Sequence, residues 1–180
     1  MDAGHLVHLT CERFRRDIEE RVWEFRPELA EDAMDFAGQM PNIKGMEAGH
    51  PLRLMPWQRL VFANLFGFVE PGTSTRRFRQ GVVFVPRGNG KTTFAAPLAL
   101  YMTFMTGEGG AEGYAAAVTR DQARIMFDAA LNMVRRSPEF RRFAKRRLLA
   151  GLQYVPRVIV AGKLRSYGVA QRRLLPAVEL

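Results

Sequence analysis

Cysteine is almost absent from this chain: Cys11 stands alone. A single thiol excludes an intramolecular disulfide and any cysteine-cluster metal site, and it suits a reducing compartment. Histidine is equally scarce, and His5, His8 and His50 do not suggest a metal-ligand set. No G-x-S-x-G segment exists, so nothing supports a hydrolase nucleophile elbow. Long hydrophobic runs are missing too. The longest mainly apolar stretch, Phe94 to Met105, contains Pro97 and is too short to span a bilayer. The first residues lack a basic region followed by an apolar core. The expectation is an intracellular chain with no membrane partner. Adjacent carboxylates are the last absence: no acidic pair occurs beyond Asp32, and after Asp128 the only acidic side chains are Glu139 and Glu179.

What is present fits a globular protein. The 180 residues are 47% hydrophobic and 25% charged, enough for one domain or a domain with a small attachment. A chain of that length can bury roughly 70% of its unfolded surface without covalent staples. Its net charge of +9 is unevenly spread. Residues 1–50 carry −5, residues 51–119 carry +4, and residues 120–180 carry +10. A basic half attracts polyanions through counterion release, although a solvated helix face would look the same.

Hydrophobic spacing divides the chain. Phe14, Ile18, Val22 and Phe25 recur at helical intervals after Thr10, a candidate cap, and Pro27 should end that helix. A second helix is expected from Glu28 to Gln39. Pro41, Gly45, Gly49 and Pro51 mark a loop. Pro56 then suits the first position of a helix running to Phe68. Residues 78–85, FRQGVVFV, read as a buried strand, residues 92–105 as a helix, and residues 114–118 as a second strand. TRDQ opens a helix to about Arg136, with Ile125, Met126, Ala129, Leu131 and Val134 as candidate buried positions. RRFAKRRLL reads as a basic helical run, and residues 154–160 as one further strand. The order strand, loop, helix, strand, helix indicates an α/β fold: a P-loop NTPase (RecA-like) parallel sheet flanked by helices. Residues 1–50 would form an N-terminal helical extension, 51–145 a partial P-loop domain, and 146–180 a basic tail.

The segment Val85-Pro86-Arg87-Gly88-Asn89-Gly90-Lys91-Thr92-Thr93 carries the clearest chemistry. A phosphate loop needs backbone N–H groups turned into one cavity, a lysine for the β/γ-phosphates, and a hydroxyl for Mg²⁺. Gly88 and Gly90 can take the positive-φ conformations that turn successive amides inward. Lys91 supplies the charge and Thr92 the metal-directed hydroxyl. The following helix directs its positive end at the anion. One departure is evident: the common pattern has glycine where this chain has Val85, and Pro86 restricts the loop entry further. Arg87 lies inside the loop, where it could reach a γ-phosphate or simply form a salt bridge.

Several segments together resemble the large terminase subunit of tailed bacteriophages. Pro86 through Thr92 is similar to that family's variant phosphate loop, which often lacks the leading glycine and carries an internal arginine. Arg53-Leu54-Met55-Pro56-Trp57-Gln58 looks like its adenine-contacting segment. Residues 107–112 and 116–123 resemble its second strand and following helix. The resemblance spans roughly residues 5–140. It implies that Pro86, Gly88, Asn89, Gly90, Lys91, Thr92 and Thr93 cradle ATP, with Thr92 on Mg²⁺. Arg87 would be an arginine finger, Lys91 a catalytic charge, and Gln58 the reader of the adenine edge. Trp57 fits the core better than the base. The implied partners are double-stranded DNA, the portal and the small terminase subunit, within an oligomeric motor in the cytoplasm of a bacterial host.

The family also has an apolar strand ending in paired carboxylates after this region, and a nuclease domain beyond it. Neither is found here, and the pattern departs after about residue 145. A truncated or frameshifted phage or prophage gene would produce this, so weak turnover by the isolated chain is the expectation. Two other readings remain open: a helicase-type ATPase, and a non-enzymatic nucleic-acid-binding protein with a relic loop.

Overall fold

The computed structural model describes residues 4–107 and 111–150, with side chains described as far as residue 146. The expected strand at 154–160 and most of the basic tail lie outside the described residues. Among the described residues six helices and two short strands occur in the order α1 (His5–Glu20), β1 (Glu24–Phe25), α2 (Pro27–Gln39), α3 (Pro56–Gly67), β2 (Phe68–Val69), α4 (Lys91–Phe104), α5 (Arg120–Arg136) and α6 (Pro138–Ala150).

Local chemistry sets most helix boundaries. Proline occupies the first turn of α2 and α3, where its missing N–H costs nothing. Thr119 caps α5 by accepting the Gln122 N–H at 3.3 Å, and Arg135 and Arg136 face the negative end of that helix dipole. Two expectations fail. Thr10 is inside α1 rather than capping it, and its hydroxyl donates to the Leu6 carbonyl at 2.8 Å. That helix stops at Glu20 because Arg21 turns left-handed at φ 52°. Val22 is therefore exposed, and Phe25 enters β1 instead of extending the helical stripe. Pro97, conversely, does not interrupt α4, which runs through it with its ring buried.

One core joins α2 to α6. Ala33, Phe36 and Ala37 of α2 face Phe62 and Phe66 of α3, with Phe94, Leu100 and Tyr101 of α4 beside them. Ala129, Met133 and Val134 of α5 and Phe140 and Ala144 of α6 complete it. The alanines allow α2 to lie close, and aromatic rings fill the remaining volume. Phe66–Tyr101 and Phe62–Phe94 meet edge-to-face at 4.9 and 5.4 Å, arrangements worth about 0.5–1.5 kcal/mol beyond area burial. In α5 the expected Ala129 and Val134 are buried, but Ile125 is half exposed. Met133, which the spacing missed, is fully enclosed.

The helix α1 docks through Phe14, which meets Phe25 and Phe68 edge-on at 5.3 and 5.4 Å. Its buried Asp17 lies 2.9 Å from the Arg77 guanidinium. Arg77 in turn lies over the Phe78 ring at 4.7 Å.

Among the described residues no parallel sheet is present. β1 and β2 pair antiparallel, two residues each. Residues 78–85 and 114–118, expected as strands, carry no ladder. A strand exists only through a hydrogen-bonded neighbour, and neither segment has one here. Several of their apolar side chains remain in solvent (Val82 is 83% exposed, Phe84 96% and Val118 97%), while Val83 packs against the core.

Candidate nucleotide-phosphate site

The segment between residue 85 and α4 folds as a tight turn. Gly88 and Gly90 sit at φ 86° and 69°, in the region the sequence requires of them. A Cβ at Gly88 would meet nothing within 4 Å, so glycine is needed there for conformation and not for space. Gly90 is the N-cap of α4, and no side chain caps that end. The first intrahelical bond runs from the Phe94 N–H to the Gly90 carbonyl at 2.9 Å. The amides of Lys91, Thr92 and Thr93 therefore have no helical acceptor. This is a cup of donors at the positive end of a helix, and it fits a phosphate group.

Lys91 closes the turn on itself. Its Nζ donates to the carbonyls of Val85 and Pro86 at 2.5 and 3.1 Å. Asn89 Nδ2 reaches the same Pro86 carbonyl at 3.5 Å, at the limit of a hydrogen bond. The lysine thus pins the loop entry, where Val85 replaces the usual glycine, while keeping a third N–H free to donate. Arg87 and Pro86 are exposed, and Thr92 and Thr93 are half-buried on the first turn of α4. Among the described residues Arg87 has no ion pair, so its guanidinium is available to an anion in the loop.

Gln58 and the loop, distant in sequence, come together. Gln58 is 3% exposed, and its Oε1 accepts the Met55 N–H at 2.9 Å, capping α3. Its Nε2 lies 3.6 Å from where a Gly90 Cβ would stand. The side chain therefore has a structural use that the sequence reading did not anticipate, although Gln three residues after the cap was a visible signal for it. One carbonyl lone pair remains for a second partner. Trp57 packs against Phe94 at 5.3 Å, a core contact as expected.

The acidic side of the chemistry is not assembled here. Asp32, which follows Glu31 in the last adjacent acidic pair of the sequence, accepts the Tyr101 hydroxyl at 2.8 Å. Burial, and then that carboxylate, push the tyrosine well above its ordinary range. Among the described residues no three His, Cys, Asp or Glu side chains are grouped to hold a metal. An apolar groove of about 630 Å³ lies elsewhere, between α1 and α3, lined by Val7, Cys11, Phe14, Trp57 and Leu60 among others. It contains no residue of the loop.

A family model, the terminase large subunit ATPase domain, matches residues 56–169. The match starts at the first residue of α3, takes in Gln58 and the whole loop, and continues past residue 145, where the pattern was expected to end. No curated protein and no solved structure matches the chain. Among the described residues no helix is long and apolar enough to cross a membrane.

Proposed function

The chain belongs to the terminase large subunit ATPase domain family, and on that premise we propose that it is the ATP-holding part of a motor that packages double-stranded DNA. The triphosphate lies across the amides of residues 88–92. Lys91 Nζ moves to, or shares its protons with, the β- and γ-phosphate oxygens. The Thr92 hydroxyl would hold Mg²⁺, which would supply charge neutralisation on the phosphates. Arg87 extends toward the γ-phosphate as an internal arginine, and Gln58 presents its amide to the adenine edge. The observation that carries the reading is the combination of Gly88 and Gly90 at positive φ, Lys91 at the start of α4, and buried Gln58 against Gly90.

The proposal includes a parallel sheet of the P-loop type, with residues 78–85 and 114–118 as strands. Their exposure supports this, because Val82, Phe84 and Val118 are residue types that cores normally bury. The partners are those of a packaging motor: DNA, portal, small terminase subunit and further copies of the ATPase, in the cytoplasm of a bacterial host.

Calorimetric titration of the chain with ATP and Mg²⁺ tests the proposal. Saturable binding that Lys91→Ala abolishes, with the unfolding midpoint unchanged, is expected. Absence of binding, or equal binding by Lys91→Ala, would remove the phosphate site.

A further inference from the structure

The helix α6 has two unlike faces. Phe140 and Ala144 point into the core, and Phe140 meets Phe36 and Phe104 edge-on at 5.1 and 5.6 Å. At about 100° per residue, Arg141, Arg142, Lys145 and Arg146 fall on the opposite arc. Arg141, Arg142 and Arg146 are exposed and Lys145 is half-buried. Among the described residues none of the four takes part in an ion pair, although Glu139 stands three positions before Arg142. Four like charges within six residues repel one another, and no acidic side chain among the described residues pairs with them.

This face is separate from the nucleotide site. Phe140 rests on Phe104, the last residue of α4, whereas the phosphate loop is at the first. Fourteen helical residues put roughly 20 Å between them at ~1.5 Å per residue. A nucleotide in the loop therefore cannot neutralise α6. The face is also within the family-matched span.

We propose that the outer face of α6 is a contact for the phosphate backbone of duplex DNA, independent of base sequence. Arginine is the favoured partner of phosphate because its planar fork donates two parallel hydrogen bonds. Along α6 there is no asparagine or glutamine to read adenine edges. Backbone contact without sequence readout is what translocation along any DNA requires. The choice of DNA as the polyanion rests on the proposed packaging function; the existence of the polyanion site rests on α6 alone.

Fluorescence anisotropy of a short labelled duplex of arbitrary sequence, titrated with the full chain across a salt series, tests this. Each lost phosphate contact should lower the log–log salt slope by about 0.9. The triple variant Arg141→Gln, Arg142→Gln, Arg146→Gln should therefore lose a slope of roughly 2–3, equivalent to about a 40-fold affinity change between 50 and 200 mM salt. The matched triple arginine-to-lysine variant should keep most of the binding. If the glutamine triple fails to fold, single Arg142→Gln and Arg146→Gln variants should each lower the slope by about 0.9. A wild-type chain that ignores duplex DNA, variants with unchanged slope, or preference for an RNA duplex would overturn the proposal. Nucleotide titration separates the two readings. The α6 variants should bind ATP as the wild type does, and Lys91→Ala should bind DNA as the wild type does.

Discussion

Gln58 is the residue whose two possible uses are most closely joined. Its Oε1 holds the first turn of α3 through Met55, and its Nε2 faces Gly90 of the loop. Replacement by methionine keeps the volume and removes both polar atoms. Gln58→Met should lower stability by about 1–2 kcal/mol, since the Met55 N–H loses its partner in a half-buried setting. Denaturant unfolding measures this directly; an unchanged midpoint would show that the cap is dispensable. The loop itself was legible in the sequence because glycine and lysine do their work through their own backbone and local reach. The fold-back of Lys91 onto Val85 and Pro86 was not, because it is one choice among the conformers of a long side chain. The meeting of Gln58 with Gly90 was also hidden, since it depends on α3 packing beside α4.

Helices and strands were unequally readable. Apolar spacing, with Pro56 and the TRDQ segment at helix starts, located α2, α3 and α5 to within a residue or two, because caps and periodicity are local; Pro27, expected to end the first helix, instead begins α2. The segments at 78–85 and 114–118 looked like strands by composition, yet pairing is non-local and is not seen among the described residues. A close packing point at the α3–β2 junction carries its own prediction. A Cβ at Gly67 would collide with the Phe25 ring, which is itself wedged between Phe14 and Phe68. Gly67→Ala should cost about 1–3 kcal/mol through overpacking, read as a lowered melting temperature. β1 is also tied by Glu24, whose carboxylate accepts hydrogen bonds from Arg26 and the Gly72 N–H and is held below its ordinary range by them. A lowered value means that the tie is intact at neutral pH and is lost only as pH falls through that depressed range. Amide exchange near Gly72 should therefore quicken at acid pH, and Glu24→Gln should flatten that dependence.

At the scale of the whole molecule, an acidic N-terminal segment, a glycine–lysine loop and a basic half follow one another along the chain. The helical core from α2 to α6 links the loop at one end of α4 to the charged face of α6 at the other. Carboxylates that would hold the metal and orient water are not paired anywhere after Asp32. The chain by itself should consequently show little or no steady-state ATP hydrolysis even where it binds the nucleotide. Phosphate-release assays check this, and robust turnover abolished by Lys91→Ala would refute it. The central claim is narrower: the amides between Gly88 and Thr93 are a triphosphate cradle. Backbone NMR of the labelled chain with and without ATP and Mg²⁺ tests it most directly. Amide shifts concentrated at Gly88, Gly90, Lys91 and Thr92 are expected, with a smaller response at Gln58 and none in the Lys91→Ala variant. Shifts elsewhere with a silent loop, or the same loop shifts in Lys91→Ala, would contradict it.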